Sequence, residues 1–274
     1  MHVVLATLII VIASALAIAG ILTVRRHAPE GGYFTNGDRA AGVFGVLATG
    51  FALLLGFVVF LAFTKYDESR AGSEAEALVL VQQFETAQLM PVEVRSRLSG
   101  ELFCYGRSVV GTEWPAMRSG DATEHINPWA VALFRSLQTV HPEAPSEQSA
   151  YDAWLDHTST REEARRDRLH AAEGIVPLSV WIVLFFSAGL ILLYVLFFAD
   201  SGEPAIAQGL MAGTVTAGIV ATMLVLVTLD SPYQSRVGRL EPVAMQRSLE
   251  ALDEARTLLQ LDDPLPCDES GRPV

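Results

Sequence analysis

Four stretches of this sequence, at about 3–24, 42–64, 175–198 and 205–229, are long and apolar enough to cross a bilayer, and none has an Asp, Glu, Lys, Arg or His in its interior. A hydrocarbon layer about 30 Å thick asks for roughly 20 helical residues, so each stretch is expected to be a transmembrane helix. Composition agrees. Of 274 residues 51% are hydrophobic and only 18% are charged, a balance that folding in water alone does not call for. The first stretch could be read as a secretory signal with a cleavage site at Ala15-Leu16-Ala17, but no Lys or Arg precedes it and the apolar run continues to Val24, so a retained helix is expected.

Charge-free spans argue against a pump, because coupled transporters and proton relays place ionisable groups at membrane depth. Thr214, Thr216, Thr222 and Thr228 in the fourth span are expected to bond back to their own helix. Cys104 and Cys267 stand in no C-x-x-C or zinc spacing and read as buried or incidental thiols, and the histidines at 2, 27, 125, 141, 157 and 170 form no zinc signature. No cofactor and no metal is expected. Without a G-x-S-x-G elbow, a P-loop or a carboxylate pair in an apolar setting, neither is an enzyme.

With four spans, residues 65–174 and 230–274 share a side with the N-terminus. That side carries Lys65, Arg70, Arg161, Arg165, Arg166, Arg168, Arg236, Arg239 and Arg247 near span ends, against Arg25, Arg26 and Arg39 on the other. The excess of Lys and Arg predicts both termini in the cytoplasm of a multi-pass plasma-membrane protein, although Arg25 and Arg26 just after the first span favour the reverse. Nearly all of the net charge of −12 then sits on the inner segments, which excludes nucleic acid as a partner.

The second span runs into TKYDESRAGSEAEALVLVQQFE without a breaker, and Ala77, Leu80, Val81, Phe84 and Ala87 repeat at helical spacing. The span therefore continues as a polar helix, with Gly72 as its weak point, to Met90-Pro91. A following helix carries Val94, Leu98, Leu102, Tyr105 and Val109 on one stripe. A looser connector holds a short helix near 128–140. Another helix opens at Ser146 with Tyr151, Trp154, Leu155, Thr158, Ala164 and Leu169 on one side and a basic run on another. The fold class is all-α: a polytopic membrane protein with four transmembrane helices and a cytoplasmic helical bundle, the second transmembrane helix continuous with a cytoplasmic one. The divisions are 1–64, 65–174, 175–229 and a tail 230–274 with one amphipathic helix.

Gly50, Phe51, Leu54, Phe57 and Phe60 are candidates to line a constriction in a symmetric assembly, against the plainer reading of lipid-facing phenylalanine. Lys65, Arg70, Arg165, Arg166 and Arg168 could gather anions at an inner mouth, although headgroup anchoring and pairing with Glu162, Glu163 and Asp167 would also explain them. Gly209 and Gly213 make a small-xxx-small step that suits packing within the chain or between chains.

The run Tyr66-Asp67-Glu68-Ser69-Arg70, then Glu74-Ala75-Glu76-Ala77-Leu78 and Leu89-Met90-Pro91, resembles the bestrophin-like family, also described as a domain of unknown function. Ala164 to Leu169 and Leu229-Asp230-Ser231-Pro232-Tyr233 agree in order and spacing. The resemblance implies four transmembrane helices, cytoplasmic helical regions and a distant likeness to pentameric anion channels, with Tyr66, Asp67, Glu74, Asp230 and Pro232 as structural motif residues. The acidic run that a calcium clasp would need after the fourth span is absent. The expected function is an oligomeric anion channel in lipid, a homo-oligomer passing small anions. The alternative is a membrane-anchored scaffold that recruits a partner through its acidic helices.

Overall fold

The computed structural model describes residues 3–120, 126–170, 172, 174–234, 238–261 and 263–274; His2, His125 and Arg236 lie outside them. The described residues form α1 (Val3–Arg25), α2 (Gly37–Ala87), α3 (Val92–Ser108), a π-turn (Val109–Glu113), α4 (Trp114–Ser119), α5 (Pro128–Leu137), α6 (Pro145–His170), α7 (Leu178–Phe197), α8 (Ala205–Asp230) and α9 (Val243–Leu258). They contain no strand, only an isolated bridge between Cys267 and Pro273. The all-α expectation holds, and four helices are long and apolar enough to span a membrane. The chain divides into two compact units, one of Met1–Lys65, Gly174–Ser231 and Ser235–Gly238, the other of Tyr66–Glu173, Pro232–Gln234 and Arg239–Val274. Helix α2 contributes to both.

In the first unit, Phe51, Leu55, Val58 and Ala62 of α2 repeat at helical spacing and pack on Leu184, Ala188 and Ile191 of α7 and on Met223 and Leu226 of α8. The small-xxx-small step serves contact within the chain: a Cβ at Gly213 would come 3.0 Å from Ile18 Cδ1 of α1, and one at Gly209 would meet Ile18 Cγ2 at 3.5 Å. Thr214, Thr216, Thr222 and Thr228 each donate to the carbonyl one turn back, as expected. Asp230, at the end of α8, accepts the backbone N–H groups of Ile175 and Val176 in the loop ahead of α7, giving partners to donors that have none in a helix. At the opposite helix ends, Arg25 donates to the carbonyls of Ser201 and Glu203, and Phe34, Phe44, Tyr194 and Phe198 form an aromatic cluster.

The second unit has a core of its own. The stripe Val94, Leu98, Leu102, Tyr105 and Val109 is buried throughout, together with Leu80 and Phe84 of α2, Trp114, Leu133 and Trp154. Leu155, expected on the packed side of α6, is instead 45% exposed. Gly72 is no weak point. A Cβ there would stand 3.1 Å from Asp167 Cβ and 3.2 Å from the Ala164 carbonyl, so the glycine lets α2 and α6 cross closely.

The end of the chain is part of this core. Cys104 of α3 and Cys267 form a disulfide across 163 residues, which corrects the reading of two incidental thiols. Beyond it Trp129 Nε1 donates to the Gly271 carbonyl at 2.6 Å and Thr112 donates to that of Ser270 at 3.1 Å. Gly271 sits at φ +78°, and a Cβ on it would fall 2.1 Å from the backbone nitrogen of Ser108. Neither the left-handed backbone nor the space admits a side chain. Gly271→Ala is expected to unseat this tail at a cost of about 2 kcal/mol. A lower thermal midpoint and faster amide exchange at Asp268 and Val274, whose N–H groups bond within the tail, would report it, and an unchanged midpoint would contradict the tail's role in the core.

Candidate functional site: an open helix face and a buried arginine cluster

On the spanning part of α2 the pore candidates do not share one face. Phe51, 7% exposed, is turned into the protomer's own core, which corrects its assignment as a pore-lining residue, and Leu54 lies at the edge of the same contact. Phe57 and Phe60 are 60% and 64% exposed. With them on the outward side lie Gly42, Gly45, Gly50 and Gly56, where an added Cβ would meet nothing within 4 Å. One face of this helix is therefore packed. The other is open and apolar, and holds four glycines beside large exposed side chains such as Leu53, Phe57 and Phe60.

The polar part of α2 carries Ser69, Glu76 and Gln83, spaced seven residues apart and all buried. The Ser69 and Tyr233 hydroxyls are 2.6 Å apart, and the Tyr233 ring meets Trp114 edge to face. Glu76 takes a two-pronged ion pair from Arg168, with Nε to Oε2 at 2.6 Å and Nη2 to Oε1 at 3.0 Å, and also accepts the Tyr105 hydroxyl at 2.7 Å. Gln83 Oε1 accepts from Arg161 at 2.7 Å. Since 83 pairs with 161 and 76 with 168, the two helices run antiparallel in a fixed register.

Glu113 completes the cluster from the π-turn. Its carboxylate bonds Arg168 Nη2 at 2.6 Å, Arg165 Nη2 at 3.1 Å and Asn127 Nδ2 at 2.9 Å. The extra residue of a π-turn rotates the side chains that follow it, so Val109 remains in the α3 stripe while Glu113 turns toward α6. Arg168, wholly buried, also lies over the Trp114 ring at 5.5 Å.

Burial alone would raise the Glu113 pKa, but Arg168 and Arg165 outweigh it and hold the carboxyl below its ordinary 4.5. Arg168 is opposed by its burial too, and Glu76 and Glu113 drive it well above the ordinary guanidinium value. Burial pushes the Tyr105 hydroxyl well up, and the adjacent Glu76 charge adds to the effect.

Of the inner-mouth candidates, Arg168 is thus no surface collector of anions, and Arg165 is engaged by Glu113. The expected pairing of these arginines with Glu162, Glu163 and Asp167 is replaced by pairing with Glu76 and Glu113. Arg70 bonds Glu74 one turn on, in solvent. Arg166 is exposed. Lys65 ends the first unit, while Tyr66 and Asp67 open the second. Asp230 caps the backbone before α7 as described, and the Pro232 carbonyl accepts Leu240 N at 2.9 Å. Sequence reasoning missed Glu113, Gln83 and the partner roles of Arg161 and Glu76. The seven-residue spacing of Ser69, Glu76 and Gln83, matched by that of Arg161 and Arg168, is the signal that could have found them.

These features define a polytopic, all-helical membrane protein whose long second helix joins a spanning bundle and a polar one. The chain belongs to the bestrophin-like family, whose domain model matches residues 11–238. Its fold is shared with a bacterial bestrophin homologue from Klebsiella pneumoniae: 14% identity, a TM-score of 0.66, 95% of this chain and 98% of that one covered. A point mutant of that homologue superposes with a TM-score of 0.68 at 14% identity, covering 95% and 99% of the two chains. Among curated proteins none matches.

Because the Glu113 pKa is lowered on folding, its stabilisation is fully present above the unfolded value of 4.5 and is lost as pH falls through the lower folded value. Glu113→Gln strands part of the charge of the buried Arg168 and of the half-buried Arg165, and is expected to cost about 3 kcal/mol at pH 7. The variant should then lose less than the parent between pH 5 and pH 3. Parallel pH curves in thermal unfolding would show that Glu113 is not the titrating group.

Proposed function

We propose that this protein is an oligomeric anion channel in which copies of α2 turn their open faces toward a common path. The observation that carries this reading is the face itself. Gly42, Gly45, Gly50, Gly56, Phe57 and Phe60 are unpartnered within the protomer, although the opposite side of the same helix is packed. In lipid, helices gain little by hiding apolar surface from their surroundings, so glycines on a spanning helix favour close approach of another helix or a wider path. The exposed Phe57 and Phe60, just beyond the last of these glycines, suit a constriction that closes by dewetting. Membership of the bestrophin-like family and the shared fold support the same reading.

The test is planar-bilayer recording of the purified protein in asymmetric chloride, with its mass in nanodiscs measured on the same sample. A chloride-selective reversal potential from an oligomer is expected, and Phe57→Ala should raise the conductance. A strictly monomeric protein would sink the proposal, because one four-helix unit lacks room for the path. A silent, well-folded oligomer would favour a scaffold role for the polar helices.

For orientation in the plasma membrane, summed charge favours both termini in the cytoplasm. The Cys104–Cys267 disulfide favours a second reading, with the polar unit outside, since such bonds persist in oxidising compartments. Two further points support that second reading. Residues 66–173 form a segment too long for the charge rule to count strongly, and Arg25, Arg26 and Arg39 flank a short loop. Trapping thiols before lysis and labelling introduced surface cysteines in intact cells decides between them. An oxidised Cys104 together with labelling of the polar unit from outside gives the inverted orientation, and reduced thiols with protected labels give the cytoplasmic one.

A further inference from the structure

Among the described residues the buried cluster sets three arginines, Arg161, Arg165 and Arg168, against two carboxylates, Glu76 and Glu113. Glu76 and Glu113 are both taken up by Arg168 and Arg165. Arg161 is 2% exposed and has no ion pair among the described residues. It donates to the neutral Gln83 Oε1 at 2.7 Å and lies 4.8 Å over the Tyr105 ring. A guanidinium has five N–H donors, and one amide oxygen and a ring face return little of the hydration it has lost.

Arg161 is not sealed in. It lines a cavity of about 310 Å³ together with Tyr105, Ile126, Asn127, Ala130, Glu162, Arg165 and Arg166. Glu162 is the one carboxylate among these lining residues, and Arg166 makes no ion pair among the described residues. The size lies at the small end of ligand sites. Its chemistry is that of an oxyanion receptor, with planar cationic forks in the lining together with the apolar side chains of Ile126 and Ala130.

We propose that this cavity binds a phosphate group, either free phosphate or that of a small phosphomonoester, gripped by Arg161 from below and Arg166 from the rim. The bound oxyanion supplies the charge that Gln83 cannot. Arg165, committed to Glu113, shapes the wall and adds to the field. The site stands whether or not the protein conducts ions.

The experiment is titration calorimetry on the full chain in nanodiscs, at fixed ionic strength, with inorganic phosphate in one arm and glycerol phosphate in the other. Sodium chloride serves as the control. Saturable one-site binding of either phosphate ligand, without a chloride signal of equal strength, is expected. Tighter binding of glycerol phosphate would identify an organic ligand resting on Ile126 and Ala130, and equal or tighter binding of inorganic phosphate would identify the free ion. Arg166→Ala should weaken binding about tenfold through the loss of one charge-assisted contact. Arg161→Gln should abolish it. If that variant fails to fold, the exposed Arg166→Ala still decides. Arg70→Ala, which removes the same charge elsewhere on the unit, should leave affinity unchanged. No saturable binding, equal binding of chloride, or equal weakening by Arg70→Ala would overturn the proposal.

Discussion

Arg168 is the residue on which the polar unit depends. A guanidinium with no exposed surface must have its charge and its donors met inside the protein, and Glu76 and Glu113 meet them from two different elements. That demand ties α6 to α2 on one side and to the π-turn on the other. It explains the π-turn as well: regular α geometry would keep Glu113 from Arg168 or take Val109 out of the α3 stripe. Replacing such a network with apolar residues of the same shape can be neutral for stability, so what the ions secure is register.

Much of the architecture was legible because lipid imposes a simple rule. A run of about 20 residues without charge has few other uses, and the four helices fall where those runs are. The apolar stripes from Val94 to Val109 and from Ala77 to Ala87 were equally plain, since water enforces periodicity on any helix that buries one side. The misreadings share a cause, which is that spacing along the chain does not reveal partners far along it. Arg165 and Arg168 looked like surface charge beside Glu162 and Asp167, while their partners stand more than 50 residues away. Cys104 and Cys267 are 163 residues apart, a separation from which no pairing can be deduced. Phe51 and Phe57 read alike as apolar residues of one span, and only the position of α7 and α8 separates the packed face from the open one.

The two parts of α2 obey opposite rules. Up to Lys65 the helix shows much of its apolar surface to the outside and is held by a narrow stripe, because lipid gives neighbouring helices little hydrophobic reason to associate. From Tyr66 it buries polar residues alongside apolar ones such as Leu80 and Phe84. Ser69, Glu76 and Gln83 each bury a hydrogen-bonding group at intervals of seven, and they meet Tyr233, Arg168 and Arg161 respectively. Apolar surface alone would let α6 slide along α2 by a turn at modest cost. A slip of one turn would strand two buried arginines and a buried glutamate together, a penalty that apolar contacts re-formed one turn along would not offset. The unbroken passage from oily helix to charged helix thus gives the chain one continuous rod whose polar half has a single permitted register.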